Sequence, residues 1–282
     1  RLKDEQSNPQ ADVFWSSEVF MTIQLAEEGV FEPYSSTVTI DWPGPKDAEN
    51  RWYGFASRAR AIVYPTDRIK PEELPRTWME LSQEKWKDRI AMADPRFGTT
   101  RGHMGAMKAY WDRSVAPGFY TAYLQGLAAN NMPVLPSGNA GVVRAVASGE
   151  VDLGMTDTDD VWAAQRNGAK VDLVYPAHGL PGETGTGTLL IPNTAGLVRG
   201  GPNPEHAKAL MDFLLSEETE RILAESDSHN VPVRPDLAKR YLAYAIADTL
   251  RIDYDLVADT MDEAVAEAVR TLMADATRTG GE

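Results

Sequence analysis

Residues 151–176 read VDLGMTDTDDVWAAQRNGAKVDLVYP, and this stretch decides the fold class. VDLGMT and VDLVYP are short apolar runs typical of buried strands, and VWAAQRNG between them has a helical pattern. Two strands joined by a helix form a crossover unit, which favours a parallel sheet. The stretch therefore predicts an α/β fold.

The same alternation extends outward from this stretch in both directions. Short strand-like and helical runs occur at ADVFW (11–15), EVFMTIQLAEEG (18–29), RIAMAD (89–94), HMGAMKAYWDR (103–113) and GTLLIP (187–192). The C-terminal third has apolar residues at helical spacing over 204–226 and 262–276, which predicts amphipathic helices that pack a core. We expect mostly parallel sheets flanked by helices.

The length of the chain and its linker-like segments predict two domains. A chain of 282 residues is long for one core, and residues 41–50 and 177–187 are rich in Pro, Gly or charge, as linkers are. The extended segments that follow, 52–65 and 188–198, are long enough to pass between domains. We expect a first, discontinuous lobe at 1–63 and 190–236, and a second lobe at 64–189 and 237–282.

Composition excludes several classes of protein. The formal net charge is −14, from 42 acidic and 28 basic residues, and no basic cluster exists that could neutralise the phosphates of a nucleic acid. The chain contains no run of 18 apolar residues, so the sequence does not predict a membrane span. Zero cysteine excludes disulfides and thiolate sites. The start at Arg1 lacks a signal-peptide pattern, so we expect a mature, trimmed or incomplete chain.

Donor-rich turns follow the predicted strands, where ligands gather in α/β sheets. The candidate ligand-binding residues in these turns are Ser16, Ser17, Thr99, Thr100, Arg101, Ser137, Gly138 and Asn139. Hydroxyl, amide and guanidinium donors suit phosphate, carbonate or carboxylate, although the same residue types cap helices. Arg58 and Arg60 lie two apart on an extended segment and point to one face, either a cleft or solvent.

Three carboxylates, Asp157, Asp159 and Asp160, crowd the turn after VDLGM. Like charges this close repel unless a cation, water or a helix N-terminus offsets them. Helix capping by Asp157 or Thr158 and the binding of a ligand are both consistent with the pattern.

Six stretches, taken together, resemble solute-binding proteins of bacterial ABC importers, in the group that includes the ferric-ion-binding proteins. They are ADVFWSSE (11–18), WYGFASRARAIVYPTDRI (52–69), LPRTWMELSQEKWKDRIAMADP (74–95), SGNAGVVRAVASGEVDLGMTD (137–157), PNPEHAKALMDFLLSEETERIL (202–223) and VPVRPDL (231–237).

The resemblance implies two α/β lobes joined by hinge strands, which close on a small solute. It implies delivery to an ABC permease by a monomer without enzymatic activity, in the periplasm or lipid-anchored at the outer surface. Relatives begin with a strand, a helix and a strand that precede ADVFW. We therefore expect about forty residues of lobe one to lie outside this chain.

The resemblance also bears on the ligand. Asp159 and Asp160 stand where the ferric-binding group has two adjacent tyrosine ligands, Asp157 where an asparagine helps to hold the synergistic anion, and Ser17 where a glutamate ligand sits. Asp159 and Asp160 are thus the predicted metal ligands, and Arg58 and Asp157 join the ligand-binding residues. Carboxylates bind Fe(III) and other hard cations, with phosphate or carbonate as the anion and no resident cofactor. A small organic amine, zwitterion or phosphonate-type solute is the alternative.

Two other classes compete with transport. DTDDV (157–161) fits the DxDx(T/V) pattern of haloacid-dehalogenase-like phosphatases, with Asp157 as nucleophile and Asp159 as general acid and base, although no partner loop for Mg²⁺ follows. A sensor domain with the same fold is a further possibility. The four histidines have no metal-ligand spacing, and we expect ordinary core or surface imidazoles, with His103 nearest to a candidate turn.

Overall fold

The structure is a computed structural model that describes residues 1–180 and 182–273. The chain divides into two compact units, each built from two separate stretches. Unit 1 comprises Arg1–Arg58 and Ile191–Ala245, and unit 2 comprises Ala59–Leu190 and Ile246–Glu282. The predicted lobe boundaries, after residues 63, 189 and 236, stay a prediction about which parts of the chain move together.

Strands and helices alternate along most of the chain. The strands are β1 (Val13–Ser16), β2 (Phe31–Glu32), β3 (Tyr53–Pro65), β4 (Ile90–Ala93), β5 (Val134–Leu135), β6 (Leu153–Asp157), β7 (Val171–Val174) and β8 (Leu190–Val198). The α-helices are α1 (Phe20–Glu27), α2 (Gly98–Ser114), α3 (Phe119–Ala129), α4 (Gly138–Ser148), α5 (Thr158–Arg166), α6 (Pro204–Leu214), α7 (Glu217–Glu225), α8 (Pro235–Ala238) and α9 (Tyr254–Leu272). The α/β fold class is confirmed.

The sheet of unit 2 is mixed. β4 pairs in parallel with β5 and β6, whereas β3 runs antiparallel to β6 and β7. The sequence predicts a mostly parallel sheet, and β3 is the reason for the difference. It is followed by short 3₁₀ turns instead of a crossover helix, so the chain reaches β4 running in the opposite direction.

Both faces of this sheet are covered, as alternate side chains require. Ile62 and Met92 face a core that contains Trp78 and Trp111, while their neighbours face a second core built from valines of α4 and α5. Helix α4 lies very close to β6. A Cβ at Gly154 would stand 2.4 Å from a Val142 methyl, so only glycine permits this approach. The strands are therefore fixed beneath the turns that follow them.

Unit 1 has a smaller, antiparallel arrangement. β1 and β2 both pair with β8, and α6 packs on a core that includes Tyr53, Phe55 and Met211. The predicted helical stretch 204–226 is two helices, because Ser216 ends the first and caps the second by accepting the Thr219 N–H at 3.2 Å.

Helix α9 confirms the second predicted C-terminal helix and begins eight residues earlier, at Tyr254. The last three residues of the predicted range 262–276 lie outside the described residues. Within the described ranges, none of the helices combines the length and the apolar character that crossing a bilayer would require.

Candidate functional site

Three helices of unit 2 begin where parallel strands end. α2 follows β4, α4 follows β5 and α5 follows β6, so their N-termini gather at the carboxyl edge of the sheet. The first N–H groups of a helix have no acceptor within it and carry partial positive charge. This edge holds most of the predicted ligand-binding residues.

Asp157 lies at the centre of this edge and is bound on both oxygens. It is the last residue of β6 and stands directly opposite Arg60 in the register with β3. Arg60 Nη1 donates to Asp157 Oδ1 at 2.7 Å, and Asn139 Nδ2 donates to Oδ2 at 2.9 Å. The Thr99 hydroxyl also donates to Oδ2. Asp157 is 2% exposed and Arg60 is fully buried, so the two charges offset each other out of water.

The expectation that Asp157 or Thr158 caps α5 is contradicted. Asp157 occupies the N-cap position, but within the described chain its side chain makes no capping hydrogen bond. Its oxygens face Arg60, Thr99 and Asn139 instead. The Thr158 hydroxyl accepts the N–H of Ala59 at 3.2 Å, so it ties the helix start to β3. This turn is built to hold two strands and two other turns together.

A cleft of about 220 Å³ opens between the first turns of α2 and α4, and two residues that line it, Thr99 and Asn139, bond Asp157. Thr99, Thr100, Gly138 and Asn139 line it. The Thr100 hydroxyl donates to Asn139 Oδ1 at 3.2 Å, and Asn139 Nδ2 donates to the Thr99 hydroxyl at 2.9 Å. Gly138 has φ = 70°, which lets the chain turn sharply into α4 at the edge of the cleft. Hydroxyl, amide and helix N–H donors of this kind suit a small oxyanion.

The cleft also contains a carboxylate. Asp94 lines it and is 6% exposed, and Arg96 bonds it through two nitrogens. These hydrogen bonds hold the pKa of Asp94 below its ordinary value, so the pair remains ionised and self-compensated.

Two predicted anion-binding residues, Arg101 and Ser137, are not among the residues that line this cleft. The Arg101 guanidinium bonds Asp262 on α9, and the two side chains border a different surface with Val265 and Val269. The Ser137 hydroxyl packs over Gly141, where an added Cβ would stand 1.8 Å from the oxygen.

Asp159 and Asp160 follow Asp157 in the first turn of α5 and are half-buried. One oxygen from each of the three carboxylates lies within 4.8 Å of the others. Oxygen ligands of a hard cation stand about 2.0 to 2.6 Å from it, so these three atoms are close enough to share one ion. Asp159 and Asp160 are half-buried whereas Asp157 is 2% exposed, so a cation in solvent reaches Asp159 and Asp160 more readily.

The predicted ligand-binding residues that belong to unit 1 are Ser16, Ser17 and Arg58. The Ser16 hydroxyl accepts the Glu18 N–H at 3.2 Å, and Ser17 is exposed. Arg58 Nη2 donates to Asn193 Oδ1 at 2.9 Å, and Asn193 in turn donates to Asn230 at 2.8 Å.

Three buried residues of unit 2 were absent from the predicted site. Arg60 Nε donates to His103 Nδ1 at 3.1 Å, and His103 Nε2 lies 3.1 Å from His178 Nε2. Burial lowers the pKa of His178 to about 4 and that of His103 well below its ordinary value, and Arg60 acts in the same direction. The solvent-exposed alternative for Arg60 is wrong, because it is fully buried. A charged residue within the apolar run ARAIVY was the available signal for Arg60, whereas the 75-residue separation of the histidines gave none.

The comparisons with known proteins agree with this architecture. The family model for bacterial extracellular solute-binding proteins matches residues 8–255. Iron uptake protein A1 of Synechocystis is 29% identical over 240 residues, which are 80% of this chain and 63% of that protein. The putative 2-aminoethylphosphonate-binding periplasmic protein of Salmonella typhimurium is 30% identical over 240 residues, 84% of this chain and 66% of that one. The chain thus spans slightly less than two thirds of the length of each of these two relatives.

The solved structures share the fold. The ferric binding protein from Campylobacter jejuni superposes with a TM-score of 0.81 over 96% of this chain and 86% of that one, at 20% sequence identity. The match of the family model to most of the chain, together with the α/β units and the donor-lined turns, leads to one conclusion. The chain is a member of the bacterial extracellular solute-binding protein family.

Proposed function

We propose that the protein captures a small solute at the α2, α4 and α5 edge of unit 2 and delivers it to an ABC permease. The observation that carries the proposal is the junction at Asp157, which binds the turns of α2 and α4 and leads directly into Asp159 and Asp160. Oxyanion donors and two adjacent carboxylates are thereby held at one edge. A site of this kind accepts a solute with both a positive and a negative part.

The solute that the geometry supports best is a hard metal ion, Fe(III) first, with a synergistic oxyanion. The spacing of the carboxylates supports the cation, and the hydroxyl and amide donors of Thr99, Thr100 and Asn139 support phosphate or carbonate. The relative described as an iron uptake protein supports the same choice. The metal is cargo in this proposal, and the protein needs no cofactor.

A phosphonate bearing an amine is the second candidate. The adjacent carboxylates Asp159 and Asp160 in the first turn of α5 suit an ammonium group as well as a metal. The phosphonate would take the place of the oxyanion between α2 and α4. The Salmonella relative, described as binding 2-aminoethylphosphonate, supports this choice.

We further propose that the protein works as a monomer, in the periplasm or lipid-anchored at the outer surface, and without catalysing a reaction. The phosphatase alternative needs Asp157 as a nucleophile. Both of its oxygens accept hydrogen bonds and the residue is 2% exposed, so attack on a phosphoryl group would require the buried ion pair with Arg60 to open.

The two candidate solutes are separated by titration calorimetry of the ligand-free protein with Fe(III) plus phosphate and with 2-aminoethylphosphonate. The double variant Asp159→Asn/Asp160→Asn should abolish binding of the true solute. The matched control is Glu217→Gln/Glu218→Gln, which removes two adjacent exposed carboxylates from the first turn of α7. Unchanged binding in the first variant, or equal loss in both, would remove Asp159 and Asp160 from the site.

A further inference from the structure

The buried network that holds Asp157 continues away from the candidate site, through side chains that no solute can touch. His103 and His178 are both fully buried, on α2 and in the segment between β7 and β8. The Trp78 and His103 rings pack edge to face, with 4.5 Å between their centroids. The Trp111 Nε1–H donates to the His178 carbonyl at 2.7 Å. These contacts fix the position of both rings.

Hydrogen-bond partners determine where the protons lie on the two rings. His178 Nδ1 is 2.8 Å from the Gly187 carbonyl, which can only accept, so Nδ1 carries the proton and Nε2 is an acceptor. His103 Nδ1 accepts from Arg60 Nε, so His103 must carry its proton on Nε2 and donate it to His178. Two neutral imidazoles of opposite tautomer satisfy every contact, and a proton added to either ring would remove an acceptor.

The result is a one-way chain of donors. Arg60 donates to His103, His103 to His178, and His178 to the Gly187 carbonyl. The other branch of the same guanidinium donates to Asp157 through Nη1. The plane of a guanidinium is rigid, so the acceptor at Nε also sets the direction in which Nη1 points.

We propose that His103 and His178 are positioning residues, which orient the Arg60 guanidinium and through it the Asp157 junction on which solute affinity depends. This inference deepens the proposed function and rests on it. The imidazoles touch no solute, and their role is to keep the turns of α2, α4 and α5 in one arrangement before a solute arrives. Groups that orient a ligand-holding residue typically change metal affinity by about 10- to 100-fold when they are lost.

Substitutions at His103 separate positioning from mere packing. His103→Asn keeps an acceptor near the position of Nδ1 for Arg60 and loses the contact with His178, whereas His103→Leu removes both. We expect His103→Leu to weaken the binding of Fe(III) plus phosphate about tenfold and His103→Asn to recover most of that loss, although both lower the melting temperature. His206→Leu, at an exposed histidine of α6, is the matched control and should change neither.

A second measurement needs no solute, so it distinguishes failure of this inference from failure of the proposed function. ¹⁵N-edited imidazole spectra at neutral pH should show one ring protonated on Nδ1 (His178) and one on Nε2 (His103). His103→Leu should shift the backbone amide signals of the first turn of α5, and His206→Leu should not. Two rings of the same tautomer, unmoved α5 signals, or equal affinity losses in the Leu and Asn variants would overturn the inference.

Discussion

Two groups of carboxylates stand side by side at the start of α5 and have opposite surroundings. Asp157 is the last residue of a strand, faces Arg60 across the sheet and is 2% exposed. Asp159 and Asp160 begin a helix and are half-buried. The difference teaches that the sheet register, which the local sequence does not reveal, places Asp157 inside a buried ion pair and leaves the next two carboxylates nearer to solvent, where we propose that they meet the solute.

The largest expected effect is on stability, from Asp157→Asn. The substitution leaves the Arg60 charge buried without a counter-charge, and the loss of one partner of a buried ion pair costs about 3 to 5 kcal/mol in the free energy of unfolding. Urea denaturation measures this loss. The matched control is Asp94→Asn, because Asp94 is also buried at a strand end but pairs with Arg96, whose side chain is 52% exposed. An equal loss of unfolding free energy in the two variants would show that burial of the Arg60 partner adds nothing to the contribution of the Asp157 ion pair.

A second effect comes from the buried imidazoles and depends on pH. Because the pKa of His178 is lowered to about 4, the folded protein keeps this ring neutral at a pH where the unfolded chain binds a proton. Stability from this source is complete above the ordinary histidine pKa near 6.5 and falls as the pH drops towards 4, by roughly 3 kcal/mol. Among the described residues, the charged and titratable side chains that face the pair are Arg60 and Tyr110, and burial raises the pKa of Tyr110, so its hydroxyl stays neutral over this range.

Urea denaturation at a series of pH values between 4.5 and 7.5 measures how the free energy of unfolding changes with pH. His178→Asn should flatten this dependence, and His206→Gln should leave it unchanged. A wild-type stability that is constant over this range would mean that the imidazole pair accepts a proton without penalty, which contradicts the tautomers assigned to the network.

Thr100→Val tests whether the cleft between α2 and α4 binds the anion. It removes a hydroxyl that lines the cleft between α2 and α4 and bonds Asn139, while keeping the shape of the side chain. A neutral hydrogen bond contributes about 1 kcal/mol, so phosphate-dependent binding of Fe(III) should weaken about fivefold. Calorimetry with and without phosphate measures the change, and an unaltered phosphate dependence would place the anion elsewhere.

The smallest effect is expected from Arg101→Gln. Arg101 pairs with Asp262, whose side chain is 70% exposed, and such surface pairs contribute about 0 to 1 kcal/mol. Solute affinity should stay within about twofold, because the guanidinium faces α9 and not the cleft. A tenfold loss of affinity would return Arg101 to the anion site.

Local patterns were sufficient for the fold class and for the turns. The apolar runs at 89–94 and 151–156 became β4 and β6, since buried strands need such runs, and the donor-rich turns after them do meet at one edge. The antiparallel direction of β3 could not be predicted from the local sequence. The residues of a long strand that is not followed by a crossover helix do not indicate in which direction it runs in the sheet.

The candidate site could be predicted only in part, because contacts between distant segments do not appear in local sequence patterns. Thr99, Asn139 and Asp157 were identified from residue type and place, and they contact one another. Arg101 has the right chemistry for an anion, but its rotamer takes it to Asp262. His103 and His178 become partners only through packing around Trp78 and Trp111, which spacing along the chain does not encode.

We propose that Asp157 holds the site together and that Asp159 and Asp160 bind the solute's cation. Anomalous diffraction at the iron edge, from crystals grown with Fe(III) and phosphate, tests it directly. We expect one peak about 2.0 to 2.6 Å from oxygens of Asp159 and Asp160, with the Asp157–Arg60 pair intact. A peak bound by Asp157 with Arg60 displaced, or no peak at the start of α5, would contradict it.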